Sequence, residues 1–123
     1  MRLRLGLFLL MLASSVGCGS SSSGPTMGPS GGTGNGTPVS IVPGSSSLTT
    51  TAYAPNPVNV APGSTVTWTN NDTTSHTSTA NDGAWDSGSI PPGGSFSRMF
   101  PNAGTFTYRC TIHPGMIGTV NVQ

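Results

Sequence analysis

The sequence predicts an all-β fold, an antiparallel β-sandwich of seven to eight short strands. The 123-residue chain contains 18 glycines and 11 prolines but only 6% charged residues, which favours a turn-rich β protein over a helical bundle. From Pro38 onward, short runs rich in valine, threonine and aromatic residues are separated by turn signals at roughly eight- to twelve-residue intervals. In residues 65–69, Val66 and Trp68 alternate with threonines, which is the two-residue period of a half-buried strand.

The N-terminal residues 1–17 indicate an export signal. They begin with two arginines and continue with an apolar run that is too short to span a bilayer. The sequence Ser15-Val16-Gly17 before Cys18 resembles the lipobox of bacterial lipoproteins, whose cysteine is lipidated and becomes the new N-terminus. We therefore expect an exported protein of the periplasm or cell envelope, anchored to a membrane through a lipid on Cys18. The alternative is an ordinary cleaved signal with a chance cysteine.

Residues 18–37 indicate a linker between this anchor and the folded domain at 38–123. Residues 19–37 include seven glycines and five serines, and such a composition cannot bury a core. A flexible coil of this length has an r.m.s. span on the order of 25 Å. If Cys18 is anchored, this length lets the domain reorient between two partners. The alternative is a spacer whose length has no function.

The strands of the domain are predicted in the following order. They are residues 39–42, 48–53 (a weaker strand), 58–60, 65–69, 74–80, 95–100, 105–110 and 117–122. Residues 81–94 are predicted as a loop, and 95–100 and 105–110 as a strand pair joined by the turn at 101–104. Arg98 alternates onto the same face of its strand as Phe96 and Phe100, where a charged side chain is not expected. We therefore expect either a bulge or an edge position there.

The residues with metal-binding chemistry lie close together near the C-terminus. Cys110, His113 and Met116 fall within seven residues. Pro114-Gly115 favours a type II β-turn, in which His113 and Met116 are the first and last residues, with Cα atoms within roughly 7 Å. Two histidines and a cysteine in a plane, with a weak axial methionine, form the ligand set of blue-copper sites. The chain has one other histidine, His76, to complete it.

Other interpretations of these residues are weaker. Structural zinc takes four firm nitrogen or sulfur ligands and accepts a thioether poorly, whereas Cu(I) favours soft sulfur and Cu(II) accepts imidazole. We therefore expect one copper ion per chain. Met99 is a rival sulfur donor, but its position on a strand gives it no spacing to the other ligands, so we assign it to the core or surface. Cys110 alone could be a buried structural thiol.

Charge and histidine count exclude two function classes. Beyond the leader the chain carries two arginines and three aspartates, so it has no basic patch and nucleic acid is not an expected partner. No histidine remains for a second copper centre of an oxidase or nitrite reductase. Asp72 near His76 is too common a coincidence to indicate a hydrolase. We expect the protein not to be an enzyme.

Several motifs resemble the cupredoxins, most closely the amicyanin and plastocyanin branch. They are Val66-Thr67-Trp68-Thr69-Asn70, His76, Trp85-Asp86-Ser87-Gly88, and the run from Gly104 to Cys110 with its Cys-x₂-His-x₂-Met motif. The resemblance covers residues 39–123 and implies a Greek-key sandwich. It also implies that His76, Cys110 and His113 are trigonal copper ligands and Met116 a distant axial one.

The resemblance further implies a type 1 copper protein that carries single electrons between exported redox partners. These partners would dock at an apolar surface around His113. Two residues depart from the family pattern: Thr77 follows His76 where the family usually has asparagine, and Gly115 occupies a position that is often bulky. The alternative functions are a lipoprotein that buffers or delivers copper and a metal-free adhesion-type sandwich.

Overall fold

The computed structural model describes residues 36–123 and confirms the β-sandwich. The predictions for residues 1–17 and for most of the linker lie outside the described residues. The strands are β1 (Thr37–Ile41), β2 (Tyr53–Ala54), β3 (Val58–Val60), β4 (Ser64–Asn70), β5 (Thr79–Ala80), β6 (Ser95–Phe100), β7 (Gly104–Arg109) and β8 (Ile117–Val122), with a short 3-10 helix at Ser45–Ser47. No helix in residues 36–123 is long and apolar enough to span a bilayer.

The strands form two four-stranded sheets, in the orders β2-β1-β4-β6 and β3-β8-β7-β5. The pairing is not purely antiparallel, because β1 lies parallel to β4 and β3 lies parallel to β8. Parallel neighbours need a long connection between them. Here strands of the other sheet supply it: between β1 and β4, for example, the chain passes through β3 on the opposite sheet.

The predicted strand pair of residues 95–100 and 105–110 is wrong. β6 pairs with β4 in one sheet, whereas β7 pairs with β8 and β5 in the other, so the connection between β6 and β7 crosses the sandwich. Both strands point aromatic side chains inward. Phe100 and Phe106 therefore meet across the core, with ring centroids 5.5 Å apart, and not side by side in one sheet.

Two further strands are much shorter than predicted. Of residues 48–53 only the last joins β2, and of residues 74–80 only the last two form β5. His76 makes an isolated bridge instead, exchanging backbone hydrogen bonds with Ile90 at 3.2 and 2.7 Å. Both segments are rich in threonine, the second also in serine, and both lack the regular apolar alternation that holds a strand against a core.

An aromatic core fills the space between the sheets. Val66 and Trp68 are both fully buried, as the alternation of residues 65–69 predicts. The Trp68 ring packs nearly perpendicular to Tyr108, with centroids 5.4 Å apart. Tyr108 precedes Cys110 by two residues on the same face of the chain and is equally buried. This core therefore fixes the end of β7, which the first residue of the predicted ligand loop, Cys110, directly follows.

The position of Arg98 follows from the edge location of β6. Because β6 has a neighbour on only one side, the long side chain can extend over the rim of the core. Its guanidinium carbon lies 4.8 Å from the centroid of the Trp85 ring and 5.1 Å from that of Phe100. The sequence left open a bulge or an edge position to explain why Arg98 lies on the same face as two phenylalanines. The edge position is confirmed.

Candidate metal centre

The C-terminal ligand loop is closed by two backbone hydrogen bonds. Cys110 directly follows β7, and its N–H donates to the Met116 carbonyl at 3.1 Å. The Met116 N–H donates to the His113 carbonyl at 2.9 Å, which confirms the predicted turn from His113 to Met116. The type II assignment is wrong, because Gly115 does not adopt the positive φ that this turn type needs.

Three of the four predicted ligands meet at one point. Cys110 Sγ lies 3.8 Å from His76 Nδ1 and 3.9 Å from His113 Nδ1, and the two nitrogens are 3.2 Å apart. Two nitrogens and one sulfur spaced evenly in a plane around one ion, at bonds of about 2.0–2.1 Å and about 2.3 Å, would be roughly 3.5–3.8 Å apart. The triangle is therefore of the size that a first-row metal ion requires.

The fourth predicted ligand, Met116, is fully buried at the base of the same loop. Its backbone bonds to Cys110 and His113 place it beside two of the three converging residues. The rival sulfur donor, Met99, is 55% exposed on the edge strand β6, opposite Thr65. The structure therefore puts Met116, and not Met99, in the ligand loop.

His76 is held from behind by a buried carboxylate. Its Nε2 lies 2.7 Å from Asp72 Oδ2 and 3.1 Å from the Ser45 hydroxyl oxygen. The pKa of Asp72 is held well below its ordinary value, first by the hydrogen bond from His76 and then by those from the Gly44 and Thr73 N–H groups. An ionised carboxylate only accepts hydrogen bonds, so the side of the His76 ring that faces Asp72 is the side where a hydrogen is stabilised. The other ring nitrogen, Nδ1, faces Cys110.

Sequence reasoning missed this role of Asp72. It weighed the pair of Asp72 and His76 only as part of a hydrolase and set the spacing aside. A further signal was present in Asn70-Asn71-Asp72, a turn sequence that ends β4. The Asn70 side chain accepts the Asp72 N–H at 2.9 Å, which fixes the backbone of that turn close to His76.

Thr77 connects the two ligand loops. Its backbone N–H donates to Cys110 Sγ at 3.3 Å, and its hydroxyl oxygen accepts the Thr111 N–H at 2.9 Å. The same hydroxyl lies 2.9 Å from the Thr79 hydroxyl. The Thr77 hydroxyl and backbone N–H therefore tie the segment that bears His76 to the loop that begins at Cys110.

His113 is on the solvent side of the centre. Its side chain is only half-buried, whereas Cys110 and His76 are fully buried. Its loop neighbours Ile112, Pro114 and Gly115 are exposed, and Ile112 is one of the large apolar side chains on the surface. The centre thus reaches the surface through one imidazole with an apolar border.

Comparison with known proteins identifies the family. A sequence model of copper-binding proteins of the plastocyanin/azurin family matches residues 42–123. The chain belongs to this family. The predicted resemblance to the cupredoxins is therefore confirmed.

Solved cupredoxin structures share this fold. A purple cupredoxin from Nitrosopumilus maritimus superposes with a TM-score of 0.66 at 29% identity, covering 71% of this chain and 99% of that one. A Cu(I) form of an amicyanin variant gives a TM-score of 0.62 at 26% identity, covering 74% of this chain and 85% of that one. An oxidised amicyanin variant gives 0.61 at 28% identity, covering 72% and 82%. No curated protein sequence matches significantly.

The donor set of this cupredoxin fits copper. A thiolate suits Cu(I), two imidazoles suit either oxidation state, and the Nδ1 atoms of His76 and His113 both face the thiol. Cys110 is free and buried, and it already accepts one N–H hydrogen bond at sulfur. His76, Cys110 and His113 are thus arranged as the copper site that the family predicts.

Proposed function

We propose that this cupredoxin is a type 1 copper protein that carries single electrons between exported redox partners. His76, Cys110 and His113 are the equatorial ligands, and Met116 is the axial one. The observation that supports this most directly is the convergence of one sulfur and two nitrogens within 4.8 Å in a member of a copper-binding family. Copper, when bound, supplies the one-electron exchange between Cu(II) and Cu(I).

The chain holds these ligands by contacts that do not depend on the metal. Asp72 fixes the His76 ring, Thr77 donates to the Cys110 sulfur, and backbone hydrogen bonds close the loop from Cys110 to Met116. Ligands that are fixed beforehand rearrange little when the charge at the site changes. A small rearrangement favours fast electron exchange, which is what a carrier needs.

Electrons would enter and leave through His113. Cys110, His76 and Met116 are fully buried, so water and partner proteins reach the centre only on the His113 side. The surface there is apolar, with Ile112 47% exposed and Pro114 beside it. Residues 36–123 carry only two arginines and three aspartates, which gives little electrostatic steering. We therefore expect redox partners that dock through apolar contact.

The test is the visible spectrum during titration with Cu(II). We expect an intense thiolate-to-copper charge-transfer band that saturates at one ion per chain and disappears in Cys110→Ser. Met116→Leu should keep the band and change the reduction potential, because only a weak axial ligand is removed. A colourless wild-type protein would contradict the site, and loss of metal binding in Met116→Leu would contradict the axial role.

A carrier and a copper-delivery protein differ in how they release the ion. The carrier should retain its copper through repeated oxidation and reduction in the presence of an acceptor apoprotein. A delivery protein should lose its colour as the acceptor is loaded. Retention is the result that the proposed function requires.

We also propose that the domain is tethered to a membrane through a lipid on Cys18. The support is in the sequence: an apolar leader, small residues before the cysteine and a Gly/Ser-rich linker after it. Cys18→Ser should move the protein from the membrane fraction to the soluble one. Unchanged membrane association would contradict lipidation.

A further inference from the structure

The two imidazoles of the proposed site are held in different ways. His76 is fully buried and its Nε2 contacts a carboxylate, whereas His113 is half-exposed. Within residues 36–123, the structure shows a carboxylate hydrogen bond to His76 and none to His113. The two ligands therefore differ in the group that contacts the ring from behind.

That group is Asp72, and donors surround its carboxylate. Oδ1 accepts the backbone N–H groups of Gly44 at 3.0 Å and Thr73 at 2.8 Å. Oδ2 accepts the Ser45 hydroxyl at 3.4 Å and lies 2.7 Å from His76 Nε2. We call these five residues the Asp72 network. Gly44, Thr73 and Ser45 all donate to it, so the geometry suits a negatively charged acceptor and not a neutral acid.

Burial makes this charge important to the centre. The Asp72 side chain is only 6% exposed, so neither water nor salt screens it strongly. One imidazole ring separates it from the atoms where the metal charge changes. A fixed negative charge at that distance stabilises the more positive state of the metal.

We propose that Asp72 is a positioning residue that sets the tautomer of His76 and lowers the reduction potential of the centre. This inference rests on the proposed ligand set. Asp72 holds the hydrogen of His76 on Nε2 and the lone pair on Nδ1, in the direction of Cys110 and His113. Its charge then favours Cu(II) over Cu(I), so more negative potentials are needed to reduce the protein.

Ser45 completes the network without adding charge. Its hydroxyl oxygen is fully buried and lies between His76 Nε2 and Asp72 Oδ2. It limits rotation of the ring away from the carboxylate. Together with Gly44, it ties the connection after β1 to the segment that bears His76, so the ring is oriented by two separate parts of the chain.

The first experiment compares Asp72→Asn with Asp82→Asn in the copper-loaded protein. Both substitutions remove one negative charge, but Asp82 is exposed and its carboxylate accepts the Ala84 N–H. Asp72→Asn should keep the thiolate band, raise the reduction potential and weaken Cu(II) binding by about 10- to 100-fold. Asp82→Asn should leave potential and affinity close to wild type, and Asp72→Glu should restore part of the loss. Equal behaviour of the two asparagine variants would overturn the proposal.

The second experiment needs no copper and no variant that might fail to fold. Nitrogen-15 NMR of the metal-free wild-type protein at mildly alkaline pH reports which nitrogen of His76 carries hydrogen. The proposal requires a single Nε2–H tautomer for His76. A dominant Nδ1–H form, or an averaged mixture of tautomers, would overturn it. If the wild-type protein showed no thiolate band, the proposed function would fail while this measurement still decided the role of Asp72.

Discussion

The buried and the exposed side of the metal centre are built on different principles. On the buried side, His76 and Thr77 belong to hydrogen-bond networks that reach the 3-10 helix after β1, strand β5 and the Cys110 loop. On the exposed side, His113 is held by one turn whose neighbours face solvent. The comparison indicates that the two sides have different roles: the buried side fixes the ligands, and the exposed side gives partners access.

The sharpest way to test these roles is to remove one imidazole at a time. In His113→Gly the gap opens toward solvent, so added free imidazole should enter and restore most of the thiolate band. In His76→Gly the gap is sealed and still faces Asp72, so the same concentration of imidazole should restore at least ten times less. Titration of each copper-loaded variant with imidazole, followed in the visible spectrum, measures the difference. Equal rescue would show that the two sides are equally accessible.

The C-terminal part of the site could be predicted because its ligands lie close together in the sequence. Cys110, His113 and Met116 lie on one loop, and the Pro114-Gly115 pair between them favours a turn. His76 could be assigned as the partner since the chain has no other histidine beyond this loop. The alternation around Trp68 likewise indicates which face is buried, because a strand has a period of two.

The long-range part could not be predicted in the same way. The turn at 101–104 has the composition of a hairpin, yet it joins two sheets, because the inward aromatic faces of β6 and β7 pack across the core. Turn residues specify a change of direction and not the partner strand. The contact of Asp72 with His76 depends on how one irregular segment folds back, which period-based reasoning does not capture.

The next test concerns the link between the two sides, Thr77. Thr77→Ala removes the acceptor of the Thr111 N–H and leaves that donor without its partner, which should cost about 1–3 kcal/mol of unfolding free energy. Thr77→Ser keeps the hydroxyl and is the matched control. Chemical denaturation of the metal-free variants gives the free energies. Equal stability of the alanine and serine variants would mean that the hydroxyl does not tie the loops.

A smaller loss of unfolding free energy is expected from a substitution at Tyr53, which contacts the backbone of Thr77. Its hydroxyl donates to the Thr77 carbonyl at 2.6 Å, and burial raises its pKa above the ordinary value. Tyr53→Phe should cost about 0.5–1.5 kcal/mol at neutral pH. Above pH ~10 the unfolded tyrosine ionises while the folded one stays neutral, so the wild-type protein loses stability as pH rises. The disadvantage of Tyr53→Phe should therefore shrink above pH ~10 in thermal unfolding scans. A gap that stays constant or widens would contradict the burial of a neutral hydroxyl.

The smallest effect on stability is expected on the exposed side, at Gly115. A Cβ there would meet no atom within 4 Å, and the backbone does not adopt a positive φ. Gly115→Ala should leave the unfolding free energy unchanged or raise it by up to about 1 kcal/mol, because alanine restricts the unfolded chain. Gly118→Ala is the contrasting control, since its Cβ would overlap the Tyr108 ring in the core and should cost about 1–3 kcal/mol.

The same Gly115→Ala protein tests whether access can be changed without changing the centre. The added methyl group enlarges the apolar surface beside His113, so we expect the rate of electron exchange with a docking partner to change while the spectrum and reduction potential stay at wild-type values. Stopped-flow oxidation by a partner protein, compared with oxidation by a small inorganic complex, separates docking from chemistry. A shifted potential, or destabilisation like that of Gly118→Ala, would show that the turn takes part in fixing the ligands. The buried and exposed sides would then differ only in how strongly each one fixes the ligands.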